Sequence, residues 1–308
     1  MSSRERKTDN SVAPLLPAKN TNAAEVSMID PTNLPPLSVS ILGVEPLDDF
    51  IREIADFVHH MIMTRPTNVG PNARVEVEAK IGILKYKNSN SRFALPVLVE
   101  TILAPDLPDV RFETNMSAAQ HKHFNTMLNH LQGMSRPPSN PGSPIEYAHL
   151  KLVDSFYTSD DRDKIRVTRN EKTGVVQEIT KKIRLGDLNI YCPKRSADWR
   201  VSVNLEVPVQ HPIGTPSHSR RKDRMCYSHE EFKIDLTQVT TTTGPTSPPE
   251  VSHELEVEIA RPPMLLYVAS KRGDVSASEH ERNAFDELIR SFVNNARILV
   301  KNSCDGWH

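Results

Sequence analysis

The sequence predicts an α+β fold that is mainly β: an antiparallel sheet of about eight or nine strands, closed into a barrel, with helices packed outside. Three observations carry this. Apolar and polar residues alternate with period two through most of residues 73–260, as in strands with two unlike faces. Proline-rich turns at 136–144, 208–216 and 244–249 punctuate that region. No helix-length pattern lies between residues 147 and 260, so the strands there are joined by hairpins or loops and run antiparallel. Closure removes the unpaired edges that so many strands otherwise leave.

Taken in order, residues 1–40 are polar and proline-rich and cannot bury enough apolar surface to offset chain entropy. They are expected to form a disordered tail, leaving 41–308 as one domain. A helix is expected over 46–63, with Phe50, Ile54, Phe57, Val58, Met61 and Ile62 on one stripe. Pro46 suits its first turn and Pro66 ends it. Strands are expected over 73–84, 95–103, 147–157, 164–170, 175–184, 199–207, 222–228, 231–239 and 252–260. A second helix is expected over 117–131, with Phe124, Leu128 and Leu131 on one side. A third is expected over 278–301, opened by a Ser278/Glu281 capping box.

Composition excludes several classes. The longest apolar stretches, such as 264–269, are far too short to span a bilayer, and no secretory signal is expected. Cys192, Cys226 and Cys304 are odd in number and widely spaced, which reads as free thiols in a reducing compartment. Formal net charge is −1, so no global basic field announces a nucleic-acid partner. Neither G-x-x-x-x-G-K-[S/T] nor G-x-G-x-x-G occurs, and only eleven glycines are present, so phosphates must be held by side chains. His229-Glu230 and His280-Glu281 lack the second histidine of a zinc protease motif, and nothing supports a serine–histidine–acid triad.

The chemistry lies in the charge pattern. Residues i and i+2 of a strand share a face, so Glu76, Glu78 and Lys80 point one way, and so do Glu254, Glu256 and Glu258. Same-face carboxylates stand roughly 7 Å apart along a strand. In water that costs a few tenths of a kcal/mol, and a solvent-facing strand accounts for either motif alone. The intervening strands change the balance, because their polar faces are also ionic. Lys164, Arg166 and Thr168 share a face, as do Glu178, Thr180, Lys182 and Arg184. The same holds for Arg200, Ser202, Asn204 and Glu206, for Arg220, Lys222 and Arg224, and for Lys233, Asp235 and Thr237.

If these faces point inward, the barrel becomes a tunnel lined by both signs of charge. At an effective dielectric near 20, each carboxylate pair then repels by on the order of 2 kcal/mol. A divalent cation among the glutamates and a polyanion among the cations would neutralise both clusters. Hard oxygen ligands select Mg²⁺ or Mn²⁺ over zinc. A metal beside several basic residues is the arrangement that phosphoryl transfer needs.

These segments resemble a known family. V-E-V-E-A-K-I-G (75–82) is similar to the first metal-binding motif of the fungal mRNA-capping RNA 5′-triphosphatases, the triphosphate tunnel metalloenzymes. H-E-L-E-V-E-I (253–259) is similar to their third motif, and 200–209 and 221–224 to the segments between. The resemblance, running from about residue 40 to the C-terminus, implies a closed eight-stranded tunnel and hydrolysis of the γ-phosphate of triphosphate-ended RNA to a diphosphate end. It implies that Glu76, Glu78 and Glu258 coordinate Mg²⁺ or Mn²⁺, with Glu254 and Glu256 completing the acidic wall. Arg166, Lys222 and Arg224 would grip phosphate oxygens, with Lys182 and Arg200 as further contacts. Glu206 would orient or activate the attacking water, and Asp154 and Asp235 would fix neighbouring cations. Lys233 stands where the family is expected to carry arginine, and Thr237 shares its face.

The alternatives are a tunnel hydrolase of tripolyphosphate or nucleoside triphosphates, and a non-catalytic module binding RNA ends or phosphopeptides. The resemblance also implies a nuclear protein and a homodimer. The helix over 46–63, flanked by Leu37, Val39 and Ile41, is the expected part of that interface. Some members dock mRNA guanylyltransferase through a tryptophan-containing segment before the catalytic domain. Here the only tryptophans are Trp199 and Trp307, which leaves the RNA polymerase II C-terminal tail as a further recruiting partner.

Overall fold

The computed structural model describes residues 37–308 apart from 44, 46, 47, 71, 106, 108, 138, 140, 141, 159–162, 243–247, 306 and 308. The tail expected over 1–40 lies almost wholly outside the described residues, and so does Pro46. The chain divides at Pro46/Leu47 into two units. In the first, a turn is closed by Gly43 N donating to Ser40 O at 3.1 Å.

The second unit holds ten strands and four helices. In chain order they are α1 (Asp49–Met63), β1 (Arg74–Tyr86), β2 (Thr101–Ile102), β3 (Val110–Glu113), α2 (Ala118–Ser135), β4 (Glu146–Thr158) and β5 (Lys164–Asn170). There follow β6 (Val176–Tyr191), β7 (Asp198–Pro208), β8 (His218–His229), β9 (Phe232–Thr242), β10 (Glu250–Ile259), α3 (Pro262–Lys271) and α4 (Glu279–Lys301). Eight strands pair antiparallel in the order β10-β9-β8-β4-β5-β6-β7-β1, and β1 pairs back onto β10, so the sheet closes. β3 extends β1 beyond the barrel and β2 pairs with β6.

The alternation turns the barrel inside out relative to an oil-filled one. Val75, Val77, Ala79 and Ile81 of β1 are at most 1% exposed and belong to the main core, with Val201, Val203 and Leu205 of β7. The same core takes in Ile54 and Val58 of α1 and Phe285, Ile289 and Phe292 of α4. The apolar faces of the strands thus pack outward against helices, each large side chain contributing about 1.5–3 kcal/mol. What remains for the interior is the ionic face.

Local signals explain the helix ends. Asp48 caps α1 by accepting from Phe50 N at 3.0 Å, so the helix begins at Asp49 rather than near residue 46. Its apolar stripe, including Ile51, Ile54, Val58 and Ile62, is buried in the chain's own core. The Ser278/Glu281 capping box opens α4 as expected. α3 was not anticipated; Pro262 and Pro263 preset its first turn and Leu265, Val268 and Ala269 bury one face.

The strand expected over 95–103 is mostly irregular, with only Thr101–Ile102 paired. Its apolar residues serve a small second core instead, where Leu95 and Val97 pack near Phe93, Leu84, Leu103 and Tyr191. β3 was missed, being four residues long. It fits against β1 because Gly82 has no side chain there; a Cβ would come within 2.1 Å of Glu113 O. A second device acts inside the sheet. The β6–β7 register shifts between Arg184 and Gly186, and the missing Cβ of Gly186 admits Met61 of α1. Beyond the bulge, Asp187 accepts from Ser202 Oγ at 2.7 Å.

Candidate active site

The register brings the two glutamate strands side by side. Glu78 is paired directly with Glu258, and Lys80 with Glu256, across β1 and β10. On the other side of β1, Glu76 faces Asn204 and Arg74 faces Glu206 of β7. The inward faces enclose a cavity of about 800 Å³ lined by Glu76, Glu78, Glu254, Glu256 and Glu258 on one wall. Arg166, Lys182, Lys222, Arg224 and Lys233 complete the lining with Asp154, Asp235 and Glu206.

The acids differ in how they are compensated. Glu76 accepts from Lys182 Nζ at 2.5 Å and Glu78 from the same ammonium at 3.2 Å. Asn204 Nδ2 donates to both, at 3.0 Å and 3.1 Å. Lys80 Nζ lies 2.6 Å from Glu256 and 3.3 Å from Glu78. Burial raises the Glu78 pKa, reinforced by Glu256, and burial with Glu256 likewise raises that of Glu254. Glu256 goes the other way: burial opposes ionisation, but Lys80 and Arg224 hold its carboxyl well below the usual range. Glu258 has no ion pair within 4 Å among the described residues, and burial with the nearby Glu76, Asp235 and Glu78 pushes it up to about 7.

Three cations on the facing strands are set by acids. Lys222 pairs with Asp154 at 2.6 Å, and Asp154 also accepts from Thr168 Oγ1 at 2.7 Å. Arg224 pairs with Asp235 at 2.6 Å and its Nε donates to Thr237 Oγ1 at 3.2 Å. Arg166 Nη2 donates to Glu206 at 2.8 Å and to Glu178 at 3.1 Å. Its buried Nε has no hydrogen-bond partner among the described residues, a donor available to a ligand. Burial works against the charged form of Arg166 and Lys182, but the surrounding carboxylates outweigh it and raise both pKa values. The cations therefore stay charged in a low-dielectric space, as anion binding requires.

Whether the acids suit a divalent cation can be judged from this set. As they stand, no three acidic, histidine or cysteine side chains among the described residues converge to ligate one ion. The ammonium of Lys182 supplies the compensating charge at Glu76 and Glu78. Yet Glu258 is a buried carboxylate lacking an ion pair, opposite Glu78 on the same face as Glu76, and all the donors are hard oxygens. The donor set fits Mg²⁺ or Mn²⁺ in kind, and Glu76, Glu78 and Glu258 would hold the ion.

Thirteen of the fifteen residues singled out from the sequence line the cavity; Arg200 and Thr237 do not. Thr237 instead accepts from Arg224, steadying a residue that does. Arg200 stands apart from the lining cations: it donates to Asn189 at 2.8 Å, pairs with Asp187 at 3.3 Å and lies over the Phe112 ring at 4.9 Å. The β6 bulge, invisible to a period-2 reading, puts Asp187 beside it. Sequence reasoning also passed over Asn204, which bridges Glu76 and Glu78. Its place on the inner face between Ser202 and Glu206 was the available signal.

Comparison with known proteins gives a consistent family. Residues 44–305 match the family model described as mRNA capping enzyme, beta chain. The chain is 38% identical over 271 residues to the mRNA-capping enzyme subunit beta of Schizosaccharomyces pombe, covering 86% of this chain and 85% of that one. It is 32% identical over 275 residues to the subunit of the same name from Cryptococcus neoformans, covering 87% of this chain and 65% of that one. Among solved structures, S. pombe Pct1 RNA triphosphatase matches with a TM-score of 0.77 at 36% identity, covering 88% of this chain and 100% of that one. The same protein in complex with the Spt5 CTD matches with a TM-score of 0.79 at 36% identity, over 87% and 100% of the two chains.

Proposed function

The chain belongs to the mRNA capping enzyme beta-chain family, and from that premise we propose that it is the RNA 5′-triphosphatase of cap formation, with a divalent-metal-dependent mechanism. The observation that supports this most is the facing of two walls in one cavity: five glutamates from β1 and β10, and ion-paired cations from β5, β6 and β8 together with Lys233 of β9.

When bound by Glu76, Glu78 and Glu258, Mg²⁺ or Mn²⁺ supplies Lewis-acid polarisation of a phosphoryl oxygen. Glu254 and Glu256 complete the acidic wall behind that set. Arg166, Lys182, Lys222 and Arg224 hold the oxygens of the triphosphate, offsetting charge that grows on the transferring group. Lys233 adds charge without the bidentate fork that arginine offers. Asp154, Asp235 and Thr237 position Lys222 and Arg224. Glu206, fixed by Arg166 at 2.8 Å, orients a water and takes its proton as the oxygen attacks the γ-phosphorus. The bond to the β–γ bridging oxygen breaks, and its electron pair stays on the diphosphate end of the RNA. Arg200, held at Asp187, has a positioning role at the tunnel end.

The catalytic domain of this reading spans 41–308, and a homodimer in the nucleus is part of it. The α1 stripe is buried in the chain's own core, so in this reading the interface would fall to the flanking Leu37, Val39 and Ile41, which are exposed. The name of its relatives points to guanylyltransferase as a partner, and the S. pombe complex with the Spt5 CTD points to a transcription-machinery tail. Analysis of the RNA end after reaction tests the activity. A diphosphate end with one orthophosphate is expected, and release of pyrophosphate would contradict the reading.

A further inference from the structure

We propose that Phe156 and His218, at the tunnel mouth formed by β4, β5 and β8, are the stacking site for the 5′-terminal nucleobase of the RNA. The proposal rests on the RNA triphosphatase reading and adds what that reading lacks, a way for the protein to tell an RNA end from a bare polyphosphate.

Phe156 and His218 are directly paired residues of β4 and β8. Their rings lie parallel, 4.5 Å between centroids at an interplanar angle of 3°. Phe156 follows Asp154 on the inner face of β4 and lines the same cavity as Lys222 and the glutamates. An aromatic ring is out of place among those charges unless it meets a flat apolar partner. Both rings are only half-buried, so the stack is reachable. Burial, Arg220 and Lys164 keep the His218 pKa below its ordinary value, which leaves the imidazole a neutral ring suited to stacking.

The charge beside the stack is of the right sign and forms no ion pair among the described residues. Arg220 places its guanidinium carbon 5.4 Å from the Phe156 ring centroid. It has no carboxylate partner among the described residues, and its buried Nε has no hydrogen-bond partner. Lys164, two pairs further along β4–β5 opposite Thr158, is exposed and likewise makes no ion pair among them. At the opposite mouth, Arg74 is paired with both Glu178 and Glu206. A polyanion with a base attached is therefore drawn to the Phe156 end. Every base has a π face, so stacking there is tolerant of sequence, as an enzyme acting on many transcripts requires.

The test compares the wild-type protein with Phe156→Leu and His218→Ala. Two quantities are read: kcat/KM for triphosphate-ended RNA, and the inhibition constant of inorganic tripolyphosphate against that reaction. Each variant should lose about ten-fold in kcat/KM for RNA, the size of a lost base–aromatic stack, while tripolyphosphate inhibits as before. His218→Phe, which restores a ring, should return the RNA value to near wild type. Unchanged RNA kinetics in both variants would overturn the proposal, and so would equal weakening of RNA and tripolyphosphate. A wild-type protein inert on RNA would instead bring down the triphosphatase reading on which this one rests.

Discussion

Lys182 Nζ is ion-paired with Glu76 Oε2 at 2.5 Å, so one cation of the basic wall neutralises the first glutamate of the acidic wall. The same ammonium reaches Glu78 at 3.2 Å. The two walls are thereby coupled before any ligand arrives. On the proposed mechanism, substrate phosphate would draw Lys182 toward itself and leave the glutamates free for a cation.

Lys182→Ala separates the two roles. Titration calorimetry with Mn²⁺ in the absence of RNA should show binding tightened by about ten-fold, since a competing positive charge is gone. The same variant should lose kcat on RNA by at least about ten-fold. Weakened Mn²⁺ binding would show that Lys182 organises the glutamates instead of competing for them.

Arg166 links Glu206 and Glu178 through one terminal nitrogen, donating to them at 2.8 Å and 3.1 Å. Arg166→Ala removes both contacts and a phosphate donor, and kcat should fall by about 100-fold or more. Arg166→Lys keeps the charge but not the planar fork, and should recover only part of that loss. Steady-state kinetics on RNA decides; full recovery by lysine would mean that charge alone suffices.

Stability outside the tunnel depends on Asp198, which is fully buried. It accepts from Leu84 N at 3.0 Å, Cys192 N at 2.9 Å and Arg92 Nη2 at 2.9 Å. Asp198→Ala orphans two amides and takes the ion pair from a half-buried guanidinium, and should cost about 3 kcal/mol in urea unfolding. A loss below about 1 kcal/mol would show that water replaces the carboxylate.

Acid should weaken the docking of α2 on the barrel. Burial, with His253 nearby, lowers the His121 pKa to about 4 from the ordinary 6.5. The unfolded chain then binds more protons between pH 4 and 6.5, so this residue's contribution to stability falls as pH drops through that window. Glu258, raised to about 7, has the opposite slope over an overlapping range. The readout is therefore the difference between wild type and His121→Phe, in urea at pH 5 and pH 7.5. The variant should gain on wild type at the lower pH by on the order of 1 kcal/mol; no relative gain would mean that His121 is protonated in place.

Much of this molecule was legible in its residues. Residues 74–81 of β1, 198–207 of β7 and 254–259 of β10 alternate without interruption, so Glu76, Glu78, Glu206 and the 254–258 acids could be assigned to one face. Which way that face points required the outward packing of α1, α3 and α4, which is a property of the assembled chain. Arg200 went astray because the β6 bulge at Gly186 is set by contact with Met61 of α1, far away in sequence. β3 depends in the same way on the missing side chain of Gly82. The division of the five wall glutamates into ligands and supports came from the family resemblance, since alternation treats them alike.

The central claim is that the acidic wall of β1 and β10 makes phosphate release depend on a divalent cation. Its most direct test is orthophosphate release from γ-labelled triphosphate-ended RNA, with and without Mg²⁺ or Mn²⁺, by wild type, Glu76→Ala and Glu258→Ala. Wild type should release phosphate only with metal, and both variants should fall by about 1,000-fold or more while circular dichroism shows them folded. Release at the wild-type rate by either variant, or by wild type in chelator, would contradict the account.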